Sequence, residues 1–340
     1  MNKDSTFKKE LTYEHSSNVG QLPHSKKDIN KTLELMSSAI SLPNKEVEQT
    51  ILDLFHSGGK LLRPAYLLLF SELGKDVDKK KSIALAAAME TLHTATLIHD
   101  DIVDEADVRR GVPTLQTKFD KDVAVYSGDY LFIVCFKLLV QYTDSLKSVK
   151  LNTSSMEKVL LGELGQMNTR YNTDITVDEY LQNVSGKTAE LFALSCFLGC
   201  FENGGSSKLA STCRDIGKSI GIAFQIVDDI LDYSQSEVSI GKPVLEDVKQ
   251  GVYSLPLICA MEENKAFFEP LLAKKETLTN EEAERVHQGV IEYGGVKKAY
   301  ALADSYTEKA LDLINKLPNN KQQTKEIIYD ITQAILTREN

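Results

Sequence analysis

The sequence predicts an all-α protein, on three observations. No proline occurs between Pro113 and Pro243, apolar residues recur at helical spacing throughout that stretch, and no segment alternates polar and apolar residues as a strand would. Gly128, Gly204-Gly205 and Gly241 punctuate the stretch as breaks between helices. The expected architecture is ten or more helices in a single domain over 27–340, behind a polar, flexible tail over 1–26.

In chain order, helical spacing begins at Asp28 and carries Leu33, Met36 and Ile40 until Pro43. A second helix runs from Lys45 to His56 and stops at Gly58-Gly59. Pro64 opens a third, rich in Leu and Ala to Leu73. Buried-looking runs over Met89–Ile98 and Ile220–Val227 each lead into an acidic cluster. Thr279 and Glu282 form a capping box for a helix ending near Tyr293, and two more helices, 295–316 and 321–338, flank Pro318.

Composition is that of an ordinary water-soluble chain, 42% hydrophobic and 26% charged, enough for a sizeable core. A net charge of −10 argues against a nucleic-acid binder, though not against an anionic ligand held by local cations. The first residues lack a signal-peptide pattern and no run of 18 apolar residues occurs, so the expected location is cytoplasmic. Five cysteines without a Cys-x-x-Cys fit a reducing compartment, with Cys196 and Cys200 as core residues one turn apart.

Chemistry concentrates in two clusters. Asp100, Asp101 and Asp104 stand at i, i+1 and i+4 at the end of an apolar run, and Asp228, Asp229 and Asp232 repeat the pattern. On a helix the first and last carboxylates of each set share a face, one turn apart. Acids at the edge of an apolar surface need compensation, and Mg²⁺, a hard ion usually completed by waters and phosphates, supplies it. A solvated helix face explains one such cluster as readily, but explains two less well. Cations surround both: Lys60 and Arg63 after the double glycine, Arg109-Arg110 after the first cluster, and Lys187-Thr188 and Lys242 around the second.

With these motifs in order, the chain resembles the trans-isoprenyl diphosphate synthases from about residue 28 to its end. The likeness rests on both aspartate clusters, Gly58–Pro64 as a version of Gly-Gly-Lys-x-x-Arg-Pro, Arg109-Arg110, Gly186-Lys187-Thr188, Phe224-Gln225 and Gly241-Lys242-Pro243. It implies a helical bundle around a central cavity. It also implies Mg²⁺-dependent, head-to-tail condensation of an allylic diphosphate, farnesyl or geranylgeranyl, with isopentenyl diphosphate.

By the same likeness the six aspartates hold the metals, three ions with substrate bound. Arg109, Lys187, Thr188, Gln225 and Lys242 bind the allylic diphosphate, with Thr188 and Gln225 facing the carbocation. Lys60, Arg63, His93 and Arg110 bind isopentenyl diphosphate, and Lys187 joins the aspartates in catalysis. The implied assembly is a homodimer, or a heterodimer with a small noncatalytic subunit, with transient membrane contact for product release. Two positions depart from the family: Leu61, often Arg, and Val252, often Lys, where the contact is either missing or supplied by Lys249. The loss at Val252 resembles the large subunits of two-component long-chain synthases.

Product length is expected to be set before the first motif, where likeness makes an aromatic at Ala95 or Thr96 a stop. Both are small, Ala88 and Ala84 lie on the same face, and Leu92 narrows it. From Ala84 to Ala95 the wall spans roughly 16 Å, room for roughly three further isoprene units. This predicts a hexaprenyl to octaprenyl product for a quinone side chain, a geranylgeranyl or farnesyl product being the alternative; the small residues also serve close helix packing.

Other classes fit less of the chain. Glu90-x-x-His93 and Glu284-x-x-His287 match the di-iron element but leave the aspartates unexplained. A terpene cyclase would not need the Lys60, Arg63 and Arg110 group. A regulatory partner would not need both acidic motifs.

Overall fold

The computed structural model describes residues 23–143, 145–234 and 243–337. They form helices and one minimal hairpin. The first half comprises α1 (Pro23–Ser38), α2 (Lys45–His56), α3 (Leu62–Ser71), α4 (Lys79–Val103), α5 (Leu115–Phe119), α6 (Lys121–Tyr142) and α7 (Leu146–Asn168). Next come α8 (Val177–Val184), a π-helical turn (Ser185–Ala189), α9 (Glu190–Glu202) and α10 (Ser207–Ser234). The chain ends in α11 (Pro243–Lys249), α12 (Leu255–Glu263), α13 (Lys265–Leu272), α14 (Asn280–Glu292), α15 (Gly295–Asn315) and α16 (Thr324–Leu336).

The caps explain the boundaries. Asn44 accepts from the amides of Glu46 and Val47 to start α2, Asp78 accepts from those of Lys80 and Lys81 to start α4, and Thr279 with Glu282 closes the expected capping box of α14. Three details differ from expectation. Helix α1 begins at Pro23, inside the stretch expected to be tail, because proline suits a first helical turn. Helix α3 begins at Leu62, so Pro64 is its third residue, where a missing N–H still costs nothing. A hairpin pairs β1 (Val108–Arg109) with β2 (Val112–Pro113), although the sequence carries no strand signal. Its turn residues Arg110 and Gly111 both have positive φ, +52° and +79°; an arginine instead of Asn or Asp in the first place hid the turn.

Two core clusters lie side by side. One gathers α1–α4, α6, α9 and α16, the other α8 and α12–α15. Helix α10 joins them: Ile216 and Ile220 face the first, Ile226 and Ile230 the second. At 28 residues it is about 42 Å long, enough to span both. Helix α4 packs on α3 and α6, and Ala84, Ala86, Ala87, Ala88 and Ala95 are fully buried along it. A helix buried nearly all round belongs at the centre of the bundle. All five cysteines are buried and free.

Helix α6 and the stretch Val177–Glu202 are long and apolar enough to cross a membrane by length and composition alone. The second is mostly buried in the bundle. Helix α6 is two-sided, packing one face on α4 while Tyr126, Ile133 and Val140 are exposed on the other.

Candidate active site

Asp100 and Asp104 leave the same side of α4, as their spacing dictates. Asp100 lines a cavity of about 500 Å³ and Asp104 an adjoining pocket of about 220 Å³. Asp228 faces the larger space and Asp229 the smaller, and Lys187, Thr188 and Gln225 line both. The two acidic motifs thus meet across one site, although they are far apart in the chain. Asp101 points elsewhere, as an i+1 residue must. It lines a small cleft on another side of α4, 2.5 Å from the Arg109 Nε. Asp232 lines neither space, and Lys242 lies outside the described residues.

The π-helical turn presents Lys187 and Thr188. Gly162 and Gly186 let α7 lie against it, since a Cβ on Gly186 would stand 2.6 Å from the Lys158 carbonyl oxygen. Lys187 Nζ lies 2.8 Å from Glu163, 3.0 Å from the Gln166 amide oxygen and 3.8 Å from Asp100. Burial alone would lower the Lys187 pKa, but Asp100 and Glu163 outweigh it and hold the ammonium charged. Thr188 Oγ1 donates to the Gln225 Oε1 at 2.8 Å, and Gln225 Nε2 donates to Asp229 at 3.0 Å. Tyr180 (2.6 Å) and the Leu255 amide (3.2 Å) complete the Asp229 carboxylate, so neutral donors anchor it.

Cations line the same cavity. Gly58 and Gly59 have φ of +99° and +130°, and a Cβ on Gly59 would stand 2.7 Å from the Arg110 guanidinium. That close approach lets Arg110 donate to the Gly58 carbonyl oxygen. Lys60 sits 5.2 Å over the Phe224 ring and Arg63 4.8 Å over Phe192. Burial brings Arg63 down to about 10, still charged at neutral pH, and its Nε is buried without a partner. Burial, then Arg63, Arg110 and Arg109, push His93 well below its usual value, so it faces the cavity as a neutral imidazole.

The donor set fits a hard divalent cation. Burial first, then neighbouring carboxylates, raise Asp228 to about 7, Asp232 to about 6 and Asp247 to about 7. Carboxylates held that reluctantly ionised seek a counter-charge, and oxygen donors suit Mg²⁺. Among the described residues no three His, Cys, Asp or Glu side chains converge on one point. The protein by itself offers incomplete coordination, as expected of an ion completed by waters and phosphate oxygens.

Several placements differ from the sequence reading or go beyond it. Thr96 reaches the cavity, whereas Leu92, Ala95 and Ala88 are buried in the core and do not line it. Lys249 does not substitute for the missing lysine at Val252, because its ammonium is taken by Glu246 and Asn280. Glu90 and His93 line the cavity, but Glu284 and His287 line neither space, and His287 stacks on Tyr233 in the second core; the di-iron pattern is not assembled. Glu163, Gln166, Tyr180 and Asp247 enter the site without a motif to announce them. Only Asp247, near the Gly241-Lys242-Pro243 segment, had a neighbouring signal.

Comparison with known proteins identifies the family. Residues 44–290 match the family model described as Polyprenyl synthetase. Heptaprenyl diphosphate synthase component 2 of Bacillus subtilis (strain 168) is 31% identical over 300 residues, 85% of this chain and 85% of its own. The crystal structure of geranylgeranyl pyrophosphate synthase from Lactobacillus brevis ATCC 367 matches with a TM-score of 0.90 and 40% identity, over 94% of this chain and 98% of that one. Polyprenyl synthase from Caulobacter crescentus CB15, complexed with calcium and isoprenyl diphosphate, matches with a TM-score of 0.86 and 26% identity, over 96% and 99%. The chain belongs to the polyprenyl synthetase family of trans-prenyltransferases.

Proposed function

We propose that the protein condenses an allylic diphosphate, farnesyl or geranylgeranyl, with isopentenyl diphosphate in a Mg²⁺-dependent, head-to-tail reaction. The observation that carries this reading is the division of one cavity into two anion-binding sides. Asp100, Asp228 and Lys187 form one side; Lys60, Arg63, His93 and Arg110 form the other. A single diphosphate would need only one of them.

Each residue has a physical task. When bound, the divalent ions neutralise the departing diphosphate as Lewis acids. Lys187, fixed by Glu163 and Asp100, adds a positioned cation at the same place. As the allylic C–O bond breaks, Thr188 and Gln225 offer neutral oxygens to the positive carbon, and Phe224 excludes water. Lys60, Arg63 and Arg110 hold isopentenyl diphosphate with its double bond toward that carbon. A C–C bond forms, one proton leaves, and the released diphosphate is the base that takes it.

We infer a hexaprenyl to octaprenyl product. Ala84, Ala88 and Ala95 form one small-residue face of α4, and Thr96, one turn before Asp100, is also small, with no aromatic among the four. A geranylgeranyl product is the second reading, favoured by the cavity's limit at Thr96 and by the 40% identity to a protein of that name. The apolar faces left open on α6 (Tyr126, Ile133, Val140) and α7 (Leu160, Leu161, Leu164) fit a second subunit, either a copy or a small partner.

The test is direct. Purified protein with Mg²⁺, farnesyl diphosphate and labelled isopentenyl diphosphate, assayed with and without a small partner subunit, should yield elongated prenyl diphosphates. Chromatography of the dephosphorylated products reads their length. No labelled product under either condition would reject the activity; a geranylgeranyl end point would reject only the long chain.

A further inference from the structure

The turn after α7 carries two residues that reach in different directions. Tyr171 adopts a left-handed conformation (φ +59°), uncommon for an aromatic residue. Arg170 extends to α4, where its Nη2 lies 3.2 Å from Asp104, while its Nε is buried without a partner. Tyr171 is bonded to the 249–251 loop, which contributes Gln250 to the smaller pocket. Its amide donates to the Gly251 carbonyl oxygen and its hydroxyl to that of Lys249, both at 2.9 Å. Gly251 has φ +76°, and a Cβ there would stand 2.6 Å from the Tyr171 ring, so the two are in close contact. Asp104, the partner of Arg170, and Gln250, in the loop that Tyr171 holds, both line the smaller pocket, with Val252 bringing no charge.

We propose that Arg170 is a stand-in cation for Asp104, which a divalent ion displaces, and that Tyr171 keeps the freed guanidinium at the pocket rim to contact the diphosphate. Asp104 cannot serve the guanidinium and a metal ion equally. The pair is half-exposed, and such pairs are weak, so exchanging it for a divalent ion costs little. The tether supplies what an untethered surface arginine lacks, since the turn is bonded to the loop that carries Gln250 into the pocket. A forked donor placed there matches phosphate oxygens.

The proposal rests on the reading of the site as one for metal and diphosphate, and opposite shifts in two binding constants test it. Mn²⁺ alone, followed by its paramagnetic resonance, should bind Arg170→Gln about two- to fivefold more tightly than wild type, the scale of a lost half-exposed ion pair. Inorganic pyrophosphate titrated calorimetrically in saturating Mn²⁺ should bind the same variant about tenfold more weakly, the scale of a lost charge-assisted hydrogen bond. Arg170→Lys should restore most of the pyrophosphate affinity, and Tyr171→Phe should weaken pyrophosphate while leaving Mn²⁺ alone unchanged. If both constants of Arg170→Gln fall together, the residue is merely structural; if neither moves, it is a bystander, and either result overturns the proposal. A wild-type protein that binds no pyrophosphate and extends no prenyl chain removes the functional reading as well.

Discussion

Helices α4 and α10 carry the same Asp-Asp-x-x-Asp spacing among different partners. On α4 each carboxylate meets a cation: Lys187 near Asp100, Arg109 on Asp101 and Arg170 on Asp104. Burial raises Asp100 and Asp101 as it raises Asp228 and Asp232, but on α10 the next contributors are other carboxylates, and Asp229 is anchored by neutral donors. The helices also differ below the acids. The small Thr96 stands one turn before Asp100 on α4, whereas Phe224 stands one turn before Asp228 on α10. Ion pairs balance the carboxylates of α4, whereas those of α10 have neutral donors and each other as neighbours. Identical spacing therefore does not mean an identical role; the surroundings assign it.

The largest effect should come from the pre-neutralised side. Asp100→Ala should lower kcat/KM for chain extension by about 10²–10³-fold or more while leaving the circular-dichroism spectrum unchanged, because a transition-state stabiliser is lost from a half-buried helix end. Activity within about tenfold of wild type would mean that α10 holds the metals without α4.

The difference below the acids predicts a change in product, not in rate. Ala95→Phe should shorten the longest product by one or more isoprene units, read by chromatography of the dephosphorylated chains. Ala95 is buried beside the cavity, so an unchanged product would show that growth runs along another wall.

The smallest effect is one of stability and has a defined sign. Asp228 rises from an ordinary carboxylate value to about 7, so the folded protein binds its proton more tightly than the unfolded chain does. The favourable contribution is complete below about pH 4 and is lost as pH rises through about 7. Metal-free Asp228→Asn should therefore melt higher than wild type at pH 8, by the equivalent of about 1–2 kcal/mol once solvent screening is allowed for, with the gain vanishing near pH 4. A lower melting temperature at pH 8 would show that the aspartate is already compensated without metal.

Much was legible from sequence because it is local. Helical spacing, Thr279 with Glu282 as a cap, and the glycine pair before Lys60 act within a few residues of chain. So do the acidic motifs, since a helix by itself places Asp100 and Asp104 on one face. Helix periodicity also implied that Asp101 points away from Asp100, although the motif grouped all three.

What the sequence by itself determined is the helical class, the acidic face of each motif and the cations placed near them. Only tertiary structure decided which of those groups meet. Lys187 is charged because α7 brings Glu163 against it, Asp229 is fixed because α8 brings Tyr180, and Arg170 reaches Asp104 across 66 positions of chain. The hairpin turn at Arg110 and the fate of Lys249 were decided in the same way. The physical reason is that charge state and orientation depend on burial and on partners a few ångströms away, and those distances are set by how helices pack, not by how residues follow one another.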